Sequence, residues 1–298
     1  MKIIFFGMQG VLSLLPLRAL LEAGAEVKAI VIPADQTTVS PPRLIQPPRP
    51  AHTDLPIANP YLNYNIIHLA WEHNIPIWQI DSLSDPHTLA LLADFRPNFI
   101  VVACFPYLFP SALLELPRLG CLNLHPSLLP AYRGPLPLFW QAYFGERQTG
   151  VTLHFLNQSL DTGDIVSQVT FDWPEGASLG ELEQRSGLAG AQLLVEAVRR
   201  LTQGETLPRQ PQPQAGSSYF SFPTAEDIHI PTTWEARRAF NFIRAAGADW
   251  LLVIAAGEHY FPVGQALDYE ANLMLDQPYR FEGGEVWIQF RPGVLRIQ

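Results

Sequence analysis

Three polar side chains lie within or next to apolar segments of the chain and are candidates for catalytic groups. Asn123 and His125 lie two residues apart in the strand-like run CLNLH. Residues at positions i and i+2 of a strand project from the same face of a sheet, so this amide and this imidazole face one way. Asp161 lies in the glycine-containing turn LDTGD, between two further strand-like runs. An amide donor, an imidazole and a carboxylate are groups that stabilise oxyanions and move protons.

Each of these residues also has an ordinary structural interpretation. His125 fits a core histidine whose hydrogen bonds are satisfied, and Asp161 fits a plain turn residue because Asp-x-Gly suits tight turns. Gly7 and Gly10 in FGMQG fit a tight β–α turn, and the third glycine of a dinucleotide fingerprint is missing. A phosphate contact at that turn is the alternative. The residue types alone leave these alternatives open.

The elements that must position these residues alternate between strand-like and helix-like patterns. Short apolar runs (KIIFFG, EVKAIVI, IPIWQI and NFIVVACF) are separated by segments with helical spacing. Strands that are apolar on both faces and alternate with helices predict a parallel sheet covered on both sides. We therefore predict an α/β fold with a doubly wound, mainly parallel sheet. Ligands of such sheets bind at the carboxyl ends of the strands, where Asn123 and His125 lie.

Two proline-rich segments mark the organisation of the chain. The first, residues 33–60, is too long for an ordinary connection, and we interpret it as a functional loop or a flexible flap. The second, residues 205–216, is typical of a linker. We expect a catalytic domain over residues 1–204, the linker over 205–216 and a smaller, β-rich C-terminal domain over 217–298.

The composition excludes several classes of protein. A chain of 298 residues with 48% hydrophobic content can bury a core. No run approaches eighteen uncharged apolar residues and the start lacks a signal-peptide pattern, so we expect a cytoplasmic protein with no membrane partner. Cys104 and Cys121 both lie in apolar runs, and we expect both to be buried and unpaired. The spacing of ligand-type residues predicts no metal site.

The candidate residues belong to a longer motif in three parts. It reads Asn-x-His-Pro-Ser-Leu-Leu-Pro-x-x-Arg-Gly from Asn123 to Gly134, Thr-Gly-Val-Thr-x-His from Thr149 to His154, and Leu-Asp-x-Gly-Asp-Ile from Leu160 to Ile165. In order and spacing it resembles the signature of the folate-dependent formyltransferases, which implies their Rossmann-like fold. The resemblance covers residues 1–204 and extends weakly to FNFIRAAG, which is similar to the start of the C-terminal domain of methionyl-tRNA formyltransferase. The motif is also similar to that of sugar N-formyltransferases and of glycinamide ribonucleotide formyltransferase, which normally lacks a second domain.

The resemblance implies a reaction and a role for each residue. A primary amine attacks the formyl carbon on N10 of 10-formyltetrahydrofolate, which serves as co-substrate, and no metal is needed. Asn123 and His125 would stabilise the oxyanion of the tetrahedral intermediate. Asp161 would favour the protonated imidazole and accept the proton of the amine through water. For His154 we favour a supporting role in the sheet, whereas Arg133 either meets a charge on the acceptor or ties down its own loop.

The same resemblance places the pterin of the folate between two loops. The matching positions here are Phe105, Pro106, Tyr107, Leu108, Leu156, Leu160 and Asp161. An apolar, aromatic lining suits a flat heterocycle. The ordinary alternative is that CFPYLF belongs to the core, but Pro106 and Pro110 favour a loop.

Charge bears on the identity of the acceptor. The whole chain carries a net charge of −9, and residues 205–298 hold seven arginines against eleven acidic residues, a net charge of −4. In the loop at 33–60, Arg43 and Arg49 are cancelled by Asp35 and Asp54. Phosphate contacts dominate affinity for nucleic acids, so this balance disfavours tRNA. We predict a small-molecule primary amine, such as an amino sugar or a related metabolite. The alternatives are methionyl-tRNA as acceptor and, in another class, a non-catalytic folate- or metabolite-binding protein.

Overall fold

The computed structural model describes residues 1–34, 41–47 and 64–298, which fall into two compact units. The first unit comprises Met1–Arg133, Gly150–Val169 and Gln184–Ser218, and the second comprises Gly134–Thr149, Thr170–Glu183 and Tyr219–Gln298. The segment predicted as a linker, 205–216, falls within the first unit. Most of the predicted functional loop, residues 35–40 and 48–60 with Asp35, Arg49 and Asp54, lies outside the described residues.

An eight-stranded sheet forms the core of the fold. Its strands are β1 (Lys2–Gly7), β2 (Glu26–Pro33), β3 (Arg43–Leu44), β4 (Ile77–Ile80), β5 (Phe99–Ala103), β6 (Cys121–His125), β7 (Gln148–Phe155) and β8 (Ile165–Asp172). They are ordered β3-β4-β2-β1-β5-β6-β7-β8. The pairs β1–β2, β2–β4, β1–β5 and β5–β6 are parallel, whereas β3–β4 and β6–β7 are antiparallel. The chain runs outward from β1 in both directions, which confirms the predicted doubly wound, mainly parallel sheet.

Helices connect these strands. They are α1 (Val11–Glu22), α2 (Ile66–Glu72), α3 (Pro86–Asp94), α4 (Ser111–Leu114), α5 (Pro137–Phe144) and α6 (Leu179–Thr202). Local signals set where several of them begin. Asp85 accepts a hydrogen bond from the backbone N–H of Thr88 at 2.8 Å, and Pro86 occupies the first helical position of α3. Ser178 and Glu181 cap α6 reciprocally.

The central strands are apolar on both faces because both faces are covered. On one face Ile4, Phe6 and Ile100 belong to a buried cluster that spans β1, β2 and β5, and on the opposite face Phe5 and Val101 are also fully buried. Burial of side chains of this size contributes about 1.5–3 kcal/mol each. These strands therefore form a rigid base for whatever lies at their carboxyl ends.

The two cysteines lie in different environments. Cys121 is buried at the start of β6, and burial raises the pKa of its thiol to about 12. Cys104 is exposed, and its backbone adopts a φ of 59° just after β5 ends. The prediction of two buried cysteines is therefore wrong for Cys104, because the apolar run turns out of the sheet at that residue.

The second unit contains the small C-terminal sheets that the sequence predicted. A three-stranded sheet has the order β11-β10-β9, and a four-stranded antiparallel sheet has the order β12-β15-β14-β13. The strands are β9 (His229–Pro231), β10 (Leu252–Ala256), β11 (His259–Val263), β12 (Ala266–Glu270), β13 (Tyr279–Glu282), β14 (Glu285–Gln289) and β15 (Val294–Ile297), with α7 (Ala236–Ala246) between β9 and β10. Aromatic side chains join α5 to α7: the rings of Phe139 and Phe242 lie 5.4 Å apart between centroids. Across the part of the chain that the structure describes, no helix has the length and apolar character that crossing a membrane requires.

Candidate active site

Strands β6 and β7 place the polar residues of the motif side by side. In this antiparallel pair Asn123 lies opposite His154, and His125 lies opposite Thr152. Nδ2 of Asn123 is 3.1 Å from Nε2 of His154. His154 is fully buried and His125 is nearly so. The amide and the two imidazoles therefore occupy one small region at the carboxyl end of β6.

Asp161 reaches the same region from the aspartate loop, which we define as residues 156–164 between β7 and β8. Its Oδ2 lies 3.7 Å from Nδ1 of His125, and its Oδ1 lies 3.5 Å from Nδ2 of Asn123. The contact with Asn123 is a long hydrogen bond. The contact with His125 is an ion pair when the imidazole is protonated. The structure thus brings Asn123, His125 and Asp161 together, although Asp161 is distant from the other two in sequence.

The backbone of the aspartate loop is shaped to turn Asp161 inward. Asp161 has a φ of 53°, in the left-handed region that aspartate tolerates better than most residues. Gly163 allows the loop to lie against β7, because a Cβ there would stand 1.8 Å from the carbonyl oxygen of Phe155. Asp161 is only 5% exposed, and its carboxylate lies 3.7 Å from each of the two imidazoles. The glycine of the LDTGD turn is thus required by a close backbone approach.

Hydrogen-bond partners define the proton positions on both histidines. A carbonyl oxygen can only accept, so the nitrogen that faces it must carry the proton. Nε2 of His125 lies 2.8 Å from the carbonyl oxygen of Tyr132, and its Nδ1 faces Asp161. Nδ1 of His154 lies 2.9 Å from the carbonyl oxygen of Phe155. In neutral His154 the other nitrogen, Nε2, is therefore an acceptor.

The environment of His154 determines how Asn123 is oriented. Burial lowers the pKa of His154, so this ring is neutral near pH 7 and its Nε2 accepts an N–H from Asn123. The carboxylate of Asp161 can only accept, so Asn123 must also direct its NH₂ group, and not its oxygen, toward Asp161. Both neighbours therefore fix the NH₂ group of Asn123 toward the centre of the site.

Gln212 is a site residue that the sequence analysis missed. Its Nε2 lies 2.8 Å from the carbonyl oxygens of both Asp161 and Gly163. Its Oε1 accepts hydrogen bonds from Arg133, at 3.1 Å from Nε and 2.7 Å from Nη2. Arg133 therefore ties the aspartate loop to its own loop through Gln212, which is one of the two roles considered for it. Gln212 belongs to the proline-rich stretch QPQPQ, and neither its type nor its spacing signals this contact.

The residues expected to line the folate site lie on two adjoining loops. Phe105, Pro106, Tyr107 and Leu108 follow β5, and Leu156, Leu160 and Asp161 belong to the aspartate loop. Phe105, Tyr107 and Leu156 are partly buried against the core cluster of the sheet. Leu108 and Leu160 are exposed, at 63% and 38%. Gln158 of the aspartate loop donates to Oγ of Ser111, at the start of α4, over 2.7 Å. The two loops thus present an apolar, half-exposed lining next to Asp161.

Metal ligation finds no support among these side chains. Within residues 1–34, 41–47 and 64–298, no group of three or more His, Cys, Asp or Glu side chains is arranged to hold a metal ion. Asn123, His125 and Asp161 instead form a set of donors and acceptors that can stabilise negative charge on oxygen and move a proton.

Comparisons with known proteins identify relatives of the chain. The methionyl-tRNA formyltransferase of Syntrophus aciditrophicus is 38% identical over 217 residues, which cover 73% of this chain and 67% of that protein. The methionyl-tRNA formyltransferase of Halalkalibacterium halodurans is 35% identical over 244 residues, which cover 82% and 71%. Among solved structures, an N-formyltransferase of Helicobacter canadensis, crystallised with folinic acid and dTDP-3-aminofucose, matches 100% of this chain and 98% of that chain, with a TM-score of 0.67 at 17% identity.

The match to a family model agrees with these relatives and with the site. Residues 1–198 match the model described as formyl transferase. This range contains the three parts of the motif and every predicted site residue, and the sheet has the expected topology. The chain therefore belongs to the formyl transferase family of enzymes.

Proposed function

We propose that this enzyme transfers the formyl group of 10-formyltetrahydrofolate to the primary amine of a small molecule. The observation that carries the proposal is the grouping of half-buried Asn123 with buried His125 and Asp161 at the carboxyl end of β6, with separations of 3.5 and 3.7 Å. The folinic acid crystallised with the Helicobacter canadensis N-formyltransferase supports a formylated folate as the donor. The half-exposed apolar lining of the two loops beside Asp161 suits its pterin ring.

The proposed reaction proceeds by addition and elimination at the formyl carbon. The lone pair of the amine forms a new C–N bond, and the carbonyl π pair moves onto oxygen. An N–H of Asn123 binds this oxyanion in place of its long contact with Asp161, and His125 contributes positive charge when it is protonated. Asp161 accepts the proton of the amine through water. The oxyanion pair then re-forms the carbonyl as the C–N10 bond breaks, and N10 takes up the proton that Asp161 accepted, which gives the formamide and tetrahydrofolate.

The placement of arginines supports a small acceptor over a polyanion. Four of the seven arginines in residues 205–298 lie 2.8–3.8 Å from an acidic side chain. The pairs are Arg209–Asp164, Arg237–Glu175, Arg280–Glu282 and Arg296–Asp268. An RNA phosphate would have to compete with these carboxylates for each guanidinium.

The second candidate acceptor is methionyl-tRNA. The identities of 38% and 35% to two methionyl-tRNA formyltransferases favour it. The chemistry at the formyl carbon is the same for both acceptors, so Asn123, His125 and Asp161 would keep their roles. The two proposals differ only in what carries the amine.

An acceptor screen tests the proposal. The enzyme is mixed with 10-formyltetrahydrofolate and one amine at a time, including amino sugars on nucleotide carriers and methionyl-tRNA, and release of tetrahydrofolate is followed. We expect turnover with a small amine, loss of at least 10²-fold of that turnover in Asp161→Asn, and little change in the control Asp164→Asn. Asp164 lies in the same loop but pairs with Arg209 at 3.8 Å.

Each other outcome has a definite meaning. Turnover with methionyl-tRNA alone would replace the small amine by the second candidate. Folate binding without turnover on any acceptor would identify a non-catalytic binding protein. Equal activity of Asp161→Asn and wild type, with both proteins folded, would remove Asp161 from the mechanism.

A further inference from the structure

A cavity of about 490 Å³ within the second unit is lined by an unusual number of arginines. Its lining residues are Phe144, Gly145, Arg147, Thr233, Trp234, Glu235, Arg237, Arg238, Arg291 and Pro292. Four arginines thus face one glutamate in a chain whose net charge is −9. The volume falls within the range of small-molecule sites, about 300–1,000 Å³. We refer to this cavity as the arginine pocket.

Backbone hydrogen bonds hold together the segments that carry these arginines. The N–H of Arg291 donates to the carbonyl of Trp234 at 3.0 Å, and the N–H of Ala236 donates to the carbonyl of Pro292 at 2.9 Å. Arg147, in the turn between α5 and β7, accepts a backbone hydrogen bond from Trp173 at 2.9 Å. Backbone hydrogen bonds therefore join the segment of Arg291 to that of Arg237 and Arg238, and Arg147 lies on backbone that is anchored to Trp173.

Two of the four guanidinium groups are already positioned. Arg238 lies over the ring of Trp234, 3.6 Å from its centroid, and its Nε donates to the carbonyl of Tyr143 at 2.8 Å. Arg237 lies 3.8 Å from Glu175, which positions this guanidinium and is also the carboxylate with which a bound anion competes for it. A guanidinium held in advance loses less conformational entropy when it binds an anion. Arg147 and Arg291 also line the pocket and are exposed to solvent.

The start of α7 adds further positive potential. Arg237 and Arg238 belong to its first turn, which contains no acidic residue, and Glu235 at the N-cap makes no side-chain hydrogen bond to that turn. The first backbone N–H groups of a helix attract anions, and the helix dipole adds to that attraction. The helix dipole therefore adds positive potential near Arg237 and Arg238, which line the pocket.

We propose that the arginine pocket binds a compact anion with two or more phosphate-type charges, such as the diphosphate group of a nucleotide. Arginine pairs with phosphate oxygens through two parallel hydrogen bonds, and several such pairs require several charged oxygens in a small volume. Trp234 is 9% exposed and one face of its ring is covered by Arg238, so the pocket recognises charge and not an aromatic ring.

The surrounding acidic residues favour a compact ligand over a long polyanion. Glu235 lines the pocket, Glu146 precedes Arg147 in the chain, and Glu175 pairs with Arg237. A small anion in the pocket meets Glu235 as the one acidic lining residue, whereas an extended phosphate backbone would also pass near Glu146 and Glu175. The inference concerns the second unit alone and does not depend on the acceptor proposed above.

Calorimetric titration of the full chain with inorganic pyrophosphate and with ADP tests the proposal. We expect both to bind, and we expect Arg147→Gln and Arg291→Gln each to weaken binding about tenfold or more through loss of a charge-assisted hydrogen bond. Arg244→Gln is the matched control, because Arg244 lies on α7 outside the pocket and should leave the affinity unchanged. Glu235→Gln should strengthen binding, since it removes the opposing charge.

Other results would overturn the proposal. These are the absence of pyrophosphate and ADP binding at millimolar concentration, an equal loss in Arg244→Gln, and binding of an RNA duplex through the same arginines without binding of pyrophosphate. Thermal melts of each variant show that it is folded. Asp161→Asn should bind pyrophosphate as the wild type does, which separates a failure of this inference from a failure of the proposed formyl transfer.

Discussion

Replacing Gln212 with methionine removes both N–H donors that hold the aspartate loop while keeping a side chain of similar length. Each donor lies 2.8 Å from a carbonyl oxygen, one of Asp161 and one of Gly163. A hydrogen bond of this kind contributes about 1 kcal/mol net, so the loop loses about 2 kcal/mol of anchoring. Asp161 has a φ of 53°, a conformation that costs energy and that the anchoring helps to maintain.

The predicted effect of this substitution is on kcat. If displacement of Asp161 from His125 adds the whole 2 kcal/mol to the activation free energy, kcat falls about thirtyfold. The folate KM should rise by a smaller factor than kcat falls, because the aspartate loop carries only part of the apolar lining and the loop after β5 is untouched. The measurement is tetrahydrofolate release at saturating substrates, with Gln214→Met as control. Gln214 lies in the same proline-rich segment and is exposed.

A glutamate at position 212 separates two explanations of the contact. Gln212→Glu removes both donors but keeps an oxygen for Arg133, which now binds Gln212 at 2.7 and 3.1 Å. If Gln212 acts by holding the two carbonyl groups, the glutamate variant loses at least as much activity as the methionine variant. A glutamate variant with wild-type kcat would show that the contact with Arg133 alone matters. A folded methionine variant with kcat within twofold of wild type would refute the positioning role altogether.

Three further predictions follow from the same geometry. Asn123→Ala and His125→Ala should each lower turnover by roughly 10²–10³-fold with the fold intact, and near wild-type turnover in either would contradict its role. Burial lowers the pKa of folded His154 below its unfolded value of about 6.5, so the protein should lose stability as the pH falls below about 6.5, by at most about 1.4 kcal/mol per pH unit. Urea unfolding at pH 7 and pH 5 should show that His154→Gln reduces this loss and that His87→Gln, on exposed helix surface, does not.

The strands of the sheet could be predicted because their sequences carry the signal locally. KIIFFG and NFIVVACF are apolar on both faces, and they became β1 and β5 at the centre of the sheet. The two-residue strand β3 had no such signal, since Arg43–Leu44 lies in a proline-rich segment and pairs only at the edge with β4. A strand of that length has no periodicity to read.

The remaining features depend on contacts between distant parts of the chain. Gln212 contacts Asp161, which is 51 residues away in the sequence. The carbonyl groups that accept its hydrogen bonds come together only once the aspartate loop has formed. The second unit likewise collects Gly134–Thr149 and Thr170–Glu183 with the C-terminal sheets, and the arginine pocket joins residues from 144 to 292. Neither grouping has a spacing rule, because the fold alone brings these residues together.

The identity to methionyl-tRNA formyltransferases and the charge of this chain bear on different parts of the reaction. In the proposed reaction the formyl carbon, the oxyanion and the departing folate are common to every acceptor, so similarity over the motif is expected whichever amine is formylated. Acceptors differ in the charge on those parts of the molecule that lie far from the amine. tRNA offers a long row of phosphates, each of which adds about 0.9 to the salt dependence of binding when it is neutralised.

Here, three of the seven arginines in residues 205–298 converge on one cavity, and most of the others are paired with carboxylates. That distribution suits a ligand with its charge in one place, and it favours a small phosphorylated molecule over a nucleic acid as a partner of the second unit.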